Sequence, residues 1–115
     1  VADNYKAGQR RQQQVHQELE KLYPGASVQD ELFLRDKDGN IAVNPKTGKS
    51  RRLDHVVIEN GQVLDVVETT SLTAEKKNQI NHEIKVREGG GEFIRDRRTG
   101  ELLEVTSVSR IERKL

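Results

Sequence analysis

Arg51-Arg52-Leu53-Asp54-His55-Val56-Val57-Ile58 and, a few residues on, Val63-Leu64-Asp65-Val66-Val67-Glu68-Thr69-Thr70 are the stretches on which the fold turns. Both are short, apolar and β-branched. Asn60-Gly61 lies between them, and such a pair favours a tight hairpin turn because both residues tolerate positive φ. The segments therefore read as one β-hairpin. Each strand carries an acid, Asp54 or Glu68, in a setting that otherwise looks buried. A carboxylate there is costly unless it is paired, protonated or bound to a cation. Two at one end of one hairpin point to a divalent-cation site.

Whether the two acids share a face depends on register. A two-residue Asn60-Gly61 loop pairs Glu59 with Gln62, sets Asp54 opposite Val67, and turns Glu68 to the other face. A three-residue loop with Gly61 in a left-handed bulge position pairs Ile58 with Gln62 and Asp54 with Val66. Glu68 then lies diagonal to Asp54 on the same face, about 7–8 Å away, a span one cation bridges. The sequence admits both registers. Co-facial carboxylates are the expectation; the competing one pairs Asp54 with Arg51 or Arg52 at a strand end.

Outward from the hairpin, 115 residues suffice for one domain with a single core. We read 1–115 as that domain, with 1–27 an N-terminal helix and turn and 28–115 a sheet with one inserted helix. With two Phe, two Tyr and no Trp, the core falls to Val, Ile and Leu. Charged residues make up 34% of the chain, yet the net charge is only +1, so any nucleic-acid-binding surface has to be local. Basic clusters occur at Lys46, Lys49, Arg51 and Arg52, at Lys76 and Lys77, at Arg95, Arg97 and Arg98, and near the end at Arg110, Arg113 and Lys114. The absence of Cys excludes disulfides, thiolate zinc sites and Cys nucleophiles. No run is apolar enough to span a membrane and no signal peptide is evident. The lack of any Met, even at the start, is compatible with a piece cut from a longer protein.

Residues 4–22 are polar and Gln-rich, with Val15, Leu19 and Leu22 at helical spacing, Glu18 on the edge of that stripe and Glu20 solvated. Pro24-Gly25 ends the helix. A strand is expected over 28–34, turns at Asp36-Lys37-Asp38-Gly39-Asn40 and Asn44-Pro45-Lys46-Thr47-Gly48, and a short strand over 41–43 between them. A second helix is expected over 72–87, capped by Ser71 or Thr73, with Leu72, Ile80 and Ile84 facing inward and Gly89-Gly90-Gly91 ending it. Strands over 92–95 and 102–108 follow. The class is α/β of the α+β kind: a mixed central sheet flanked by helices, its hairpin mid-sheet because both hairpin faces are apolar.

That order, with Asp54 on one strand and Glu68-Thr69-Thr70 ending the next before a helix, resembles the PD-(D/E)XK nuclease superfamily over roughly residues 15–94. The resemblance implies a restriction-endonuclease-like core. It places the family's second-strand acid at Asp54, the acid of E-x-K at Glu68 and a helical glutamate at Glu18. The motif lysine falls on Thr70. Either Thr70 supplies a hydroxyl contact there, or Lys76 or Lys77 reaches in from the following helix. The chain's size, its cysteine-free polar N-terminus and the run Gly48-Lys49-Ser50-Arg51-Arg52-Leu53-Asp54-His55-Val56-Val57 also resemble C-terminal toxin domains of contact-dependent growth-inhibition and related polymorphic toxin systems. Some toxins of that class cleave tRNA and others DNA. This likeness implies an immunity protein over the active site. It also implies a larger secreted or surface-delivered effector that acts in the target-cell cytoplasm.

Phosphodiester hydrolysis needs an activated water, neutralised charge and help for the leaving oxygen, all of which a carboxylate-held divalent cation supplies. Mg2+ suits oxygen ligands and keeps several waters; Mn2+ and Zn2+ are the alternatives. Asp54 and Glu68 are the metal ligands in this reading, with Glu18, Thr70 and Lys76 the further catalytic candidates. Arg51, Arg52, Lys77, Arg97 and Arg98 are the candidates for holding nucleic acid, with tRNA placed ahead of DNA. The bland alternatives are a helix-edge Glu18, a cap-forming Thr70 and solvated lysines. A metal-independent RNase would need two converging histidines, and His16, His55 and His82 do not converge in this reading. A non-catalytic binding module is the remaining class, and few aromatics argue against stacking on single strands.

Overall fold

The computed structural model describes residues 2–115, with side chains from residue 5 onward. Helix α1 (Ala2–Leu22) leads into strands β1 (Ser27–Phe33), β2 (Arg52–Glu59) and β3 (Gln62–Ser71). Helix α2 (Lys77–Glu88) follows, then the short strands β4 (Phe93–Arg95), β5 (Leu102–Glu104) and β6 (Arg110–Lys114). The main sheet has the order β1-β2-β3-β6, antiparallel except for β6, which runs parallel to β3; β4 and β5 form a separate ribbon. The molecule is thus α+β with a mixed sheet. No helix among the described residues is long and apolar enough to cross a membrane.

Each face of the hairpin buries its own cluster. Val57 and Val67 pack against Val15 and Leu19 of α1. Val56, Ile58 and Val66 pack on the other side with Val86 of α2 and with Ile94, Leu103 and Val105 of the ribbon and its exit. Each fully buried Val, Leu or Ile contributes about 1.5–3 kcal/mol, so these two clusters are what fix the helices over the sheet. Asp65 ties the layers at one edge. It accepts the Tyr23 hydroxyl at 3.0 Å and binds the Arg110 guanidinium through both oxygens at 2.8–3.1 Å.

The hairpin register is neither of the two the sequence offered. The turn is the two-residue one, with Glu59 opposite Gln62 and with φ of 52° at Asn60 and 74° at Gly61. The partner sum then slips by one residue: Ile58 faces Val63, but Val57 faces Asp65, so Leu64 bulges out of the ladder. His55 consequently faces Val67, and the next step along sets Asp54 opposite Glu68. Directly opposed residues share a face. One inserted residue has brought the two acids together.

Other elements depart from the sequence expectation. α2 starts at Lys77 rather than at 72, because β3 continues to Ser71 in register with Lys114 of β6. That ladder holds the chain extended where the helical pattern began. Neither Ser71 nor Thr73 caps α2: Lys76 is at its N-cap, Glu75 Oε1 accepts the Lys77 amide at 2.7 Å, and Ser71 Oγ accepts the Ala74 amide at 3.2 Å. Leu72 is 53% exposed, and the residues α2 buries are Glu83 and Val86. Leu22, the last residue of α1, is also exposed. The strand expected at 41–43 shrinks to single bridges, Arg35 to Ile41 and Val43 to Ser50. The long strand expected over 102–108 stops at Glu104, and the sheet partner in that region is β6.

Candidate functional site

Asp54 and Glu68 line one solvent-open pocket of about 410 Å³ at the end of the sheet, with Gln12 of α1, Arg52, Thr69, Lys76 and Gln79 on its walls. Asp54 Oδ2 accepts the Thr69 amide at 2.9 Å, and among the described residues Oδ1 has no hydrogen-bond partner. Glu68 is buried; its Oε1 accepts from Arg51 Nη2 at 2.8 Å and its Oε2 lies 3.4 Å from Lys76 Nζ. Burial pushes the Glu68 carboxyl above its ordinary value and the charge of Asp54 pushes it further, while Arg51 and Lys76 pull back without cancelling them. A buried acid beside a second acid is short of positive charge.

Arg51 also lines this pocket, but its guanidinium is committed inward. It is 9% exposed and bridges two buried glutamates, Glu68 and Glu83, its Nε donating to Glu83 Oε1 at 3.2 Å. Glu83 also accepts the Ser109 amide at 2.6 Å and the Ser109 hydroxyl at 2.8 Å. Arginine is rarely buried unless paired, and here two carboxylates pair it. The sequence reading gave Glu83 no role. Its spacing of three from Val86, on the inner side of α2, was the signal that an internal acid would need a cation.

The remaining candidates divide. Lys76 enters the pocket from the residue before α2 and also donates to Gln79 Oε1 at 2.7 Å. Arg52 stays exposed on the rim, 4.0 Å from Glu31 and with its guanidinium over the Phe33 ring. Lys77 is exposed on the first turn of α2, off the pocket wall. Thr70 is buried and lines a neighbouring cleft with Gly8, Arg11 and Lys76. Glu18 is not brought in. It projects from the α1 flank toward β6, where Lys114 Nζ lies 2.6 Å away, whereas Gln12 and His16 occupy the flank toward β1. Arg97 sits in a separate depression along β1 and donates to the Glu31 carbonyl at 3.1 Å. Arg98 lies beside Asn60 and Gly61, at the far end of the hairpin from Asp54.

Two histidines do converge, against expectation. His16 Nδ1 and His55 Nδ1 each lie 2.8 Å from Asp30 Oδ1, and His55 Nε2 lies 2.7 Å from Thr69 Oγ1. The cause is tertiary: Asp30 is opposite His55 in the β1–β2 ladder, and α1 lays His16, the neighbour of buried Val15, over both. Burial works to raise the Asp30 carboxyl, but the hydrogen bonds from His55 and His16 outweigh it and hold the group below its ordinary value. His82 lies away from this pair and instead lines the pocket of Asp54 and Glu68, its Nε2 2.8 Å from the Ser50 carbonyl oxygen.

Compared with protein-family models, with curated proteins and with solved structures, the chain gives no match. What the site does therefore has to be read from its own residues.

Proposed function

We propose that the chain is a metal-dependent nuclease whose reaction centre is the pocket holding Asp54 and Glu68. The observation that carries this reading is the bulged register, which opposes the two acids across β2 and β3 while Lys76 reaches Glu68 from the start of α2. The donor set is all oxygen, and Glu68 is held up by burial first and by the charge of Asp54 second. That set fits Mg2+, which accepts a few carboxylates and keeps several waters. A divalent cation bound there would neutralise phosphate charge and lower the pKa of an attacking water. Lys76 adds a fixed ammonium beside the same carboxylate, suited to charge developing on a phosphate oxygen. Thr69 holds Asp54 through its amide, and Gln12 and Gln79 offer amide groups to the substrate side of the pocket. Lys76 fills the part that the resemblance leaves open at Thr70.

Nucleic acid is the substrate class this reading takes, tRNA ahead of DNA, with Arg52 contributing phosphate contacts from the rim and Lys77 from the exposed first turn of α2 beyond it. Action as a delivered toxin domain, held in check by an immunity protein, belongs to the same proposal. A metal-independent histidine mechanism is not favoured, because it needs two histidines at the scissile phosphate and among the described residues only one histidine, His82, lines this pocket, with His55 only 1% exposed. The test is incubation of the purified chain with total tRNA and with plasmid, under Mg2+, Mn2+, Zn2+ or a chelator. Cation-dependent cleavage abolished by the chelator is the expected result. Cleavage indifferent to the chelator would end the metal reading, and tight binding without cleavage under every cation would leave a binding module.

A further inference from the structure

We propose that His16, Asp30 and His55 form a separate Zn2+ site on the opposite face of the sheet, fastening α1 to β1 and β2. One ligand atom from each residue can be chosen so that all three lie within 4.8 Å of one another. The set is nitrogen-rich, which suits Zn2+ and not Mg2+. Three protein ligands plus one water is the arrangement of zinc sites that keep an open position.

The groups behind the ligands favour the same reading. Metal-bound histidines carry their proton on the other ring nitrogen and donate it to an oxygen, which fixes ring orientation and tautomer. Both histidines here have such an oxygen waiting. His55 Nε2 lies 2.7 Å from Thr69 Oγ1, and His16 Nε2 lies 3.5 Å from Glu20 Oε2. Ligation through the two Nδ1 atoms thus requires only that each imidazole carry its proton on Nε2. The Nδ1 atoms, each 2.8 Å from Asp30 Oδ1, then turn from donating to that oxygen to sharing a cation with it. Metal–ligand distances of about 2.0–2.2 Å ask the three atoms to spread only slightly.

There is also room for the fourth ligand. His16 and Asp30 border a cavity of about 460 Å³ shared with Gln9, Gln12 and Gln13 of α1, whose amides can hydrogen-bond a bound water. His55 is sealed beneath. The proposal does not rest on the nuclease reading: Asp54 and Glu68 face away from this site, although Thr69 touches both, by its amide on one side and its hydroxyl on the other, and Gln12 borders both cavities.

The experiment is titration of the metal-free chain with Zn2+ by calorimetry, alongside Co2+ followed by its visible absorption. One equivalent should bind, the Co2+ form should show the intense bands of a four-coordinate ion, and a hundredfold excess of Zn2+ over Kd should raise Tm by about 10 °C. His16→Gln, on a half-buried helix flank where folding should survive, should weaken Zn2+ binding at least about 100-fold, and Asp54→Asn should leave it unchanged. Weak six-coordinate Co2+ bands, absence of Zn2+ binding, or binding lost in Asp54→Asn and kept in His16→Gln would each overturn the proposal.

Discussion

On one face of the β2–β3 hairpin Asp54 meets Glu68, acid against acid; on the other Asp30 meets His55 and His16, acid against ring nitrogen. Burial acts in the same direction on both, working to raise Glu68 and Asp30 alike. Their neighbours decide the outcome. Asp54 adds to the effect of burial and Glu68 ends up raised, whereas two imidazoles overcome it and Asp30 ends up lowered. A pair of like charges that an arginine and a lysine do not fully offset has a use for another cation. The histidine face is balanced from within, and what it can offer is nitrogen.

The largest effect should come from the acidic face. Glu68→Ala should reduce nucleic-acid cleavage by about 10³-fold, with far-UV circular dichroism unchanged. The wild-type chain should arrest growth when expressed without a protecting partner, and the variant should be tolerated. Free expression of the wild type, with cellular RNA and DNA intact, would break the comparison at its root.

Next comes the contrast between adjacent arginines. Arg51→Gln leaves two buried glutamates without their shared partner, and breaking a buried pair of this kind costs about 3–5 kcal/mol, measurable by urea denaturation. Arg52→Gln should change stability by no more than about 0.5 kcal/mol. It should instead weaken nucleic-acid binding and flatten its dependence on salt. Equal stability losses would show that Arg51 is not the internal tie.

The smallest effect is a pair of opposed pH dependences. Asp30, lowered in the folded state, contributes stability that is complete above its unfolded value of about 3.9. That contribution is lost as pH falls through the lower folded value. Glu68, raised in the folded state, has the opposite sign: the native protein holds its proton more tightly. Stability on its account grows as pH falls from the raised value to below the unfolded one. Following Tm across the acid range, Asp30→Asn should soften the acid limb and Glu68→Gln should steepen it. The reverse pattern would contradict the assigned neighbours.

Local pattern made part of this legible. The β-branched runs and Asn60-Gly61 announce the hairpin, and Val15 with Leu19 announces α1. The register did not follow, because the bulge at Leu64 adds a residue without a glycine or any other local mark. β6 was hidden for a different reason. Its residues Arg110-Ile111-Glu112-Arg113-Lys114 are charged and largely exposed, and its partner is a parallel strand far back in the chain. The candidate pocket was legible where a motif pointed to it, at Asp54 and Glu68, with Lys76 one of two lysines offered for the gap at Thr70. It was illegible where tertiary contact alone assembles it, as in the Arg51–Glu83 tie and the meeting of His16 with His55.

The claim at the centre is that Asp54, and not the helical acid Glu18, belongs to the reaction centre. Single-turnover cleavage of tRNA and plasmid in Mg2+ should be compared for Asp54→Asn and Glu18→Gln, the latter removing a charge that pairs with Lys114 and accepts from Gln14 on the helix flank, a pair worth no more than about 1 kcal/mol. The account predicts a loss of about 10³-fold for Asp54→Asn and a change of no more than about twofold for Glu18→Gln. Full activity in Asp54→Asn, or an equal loss in both variants, would contradict it.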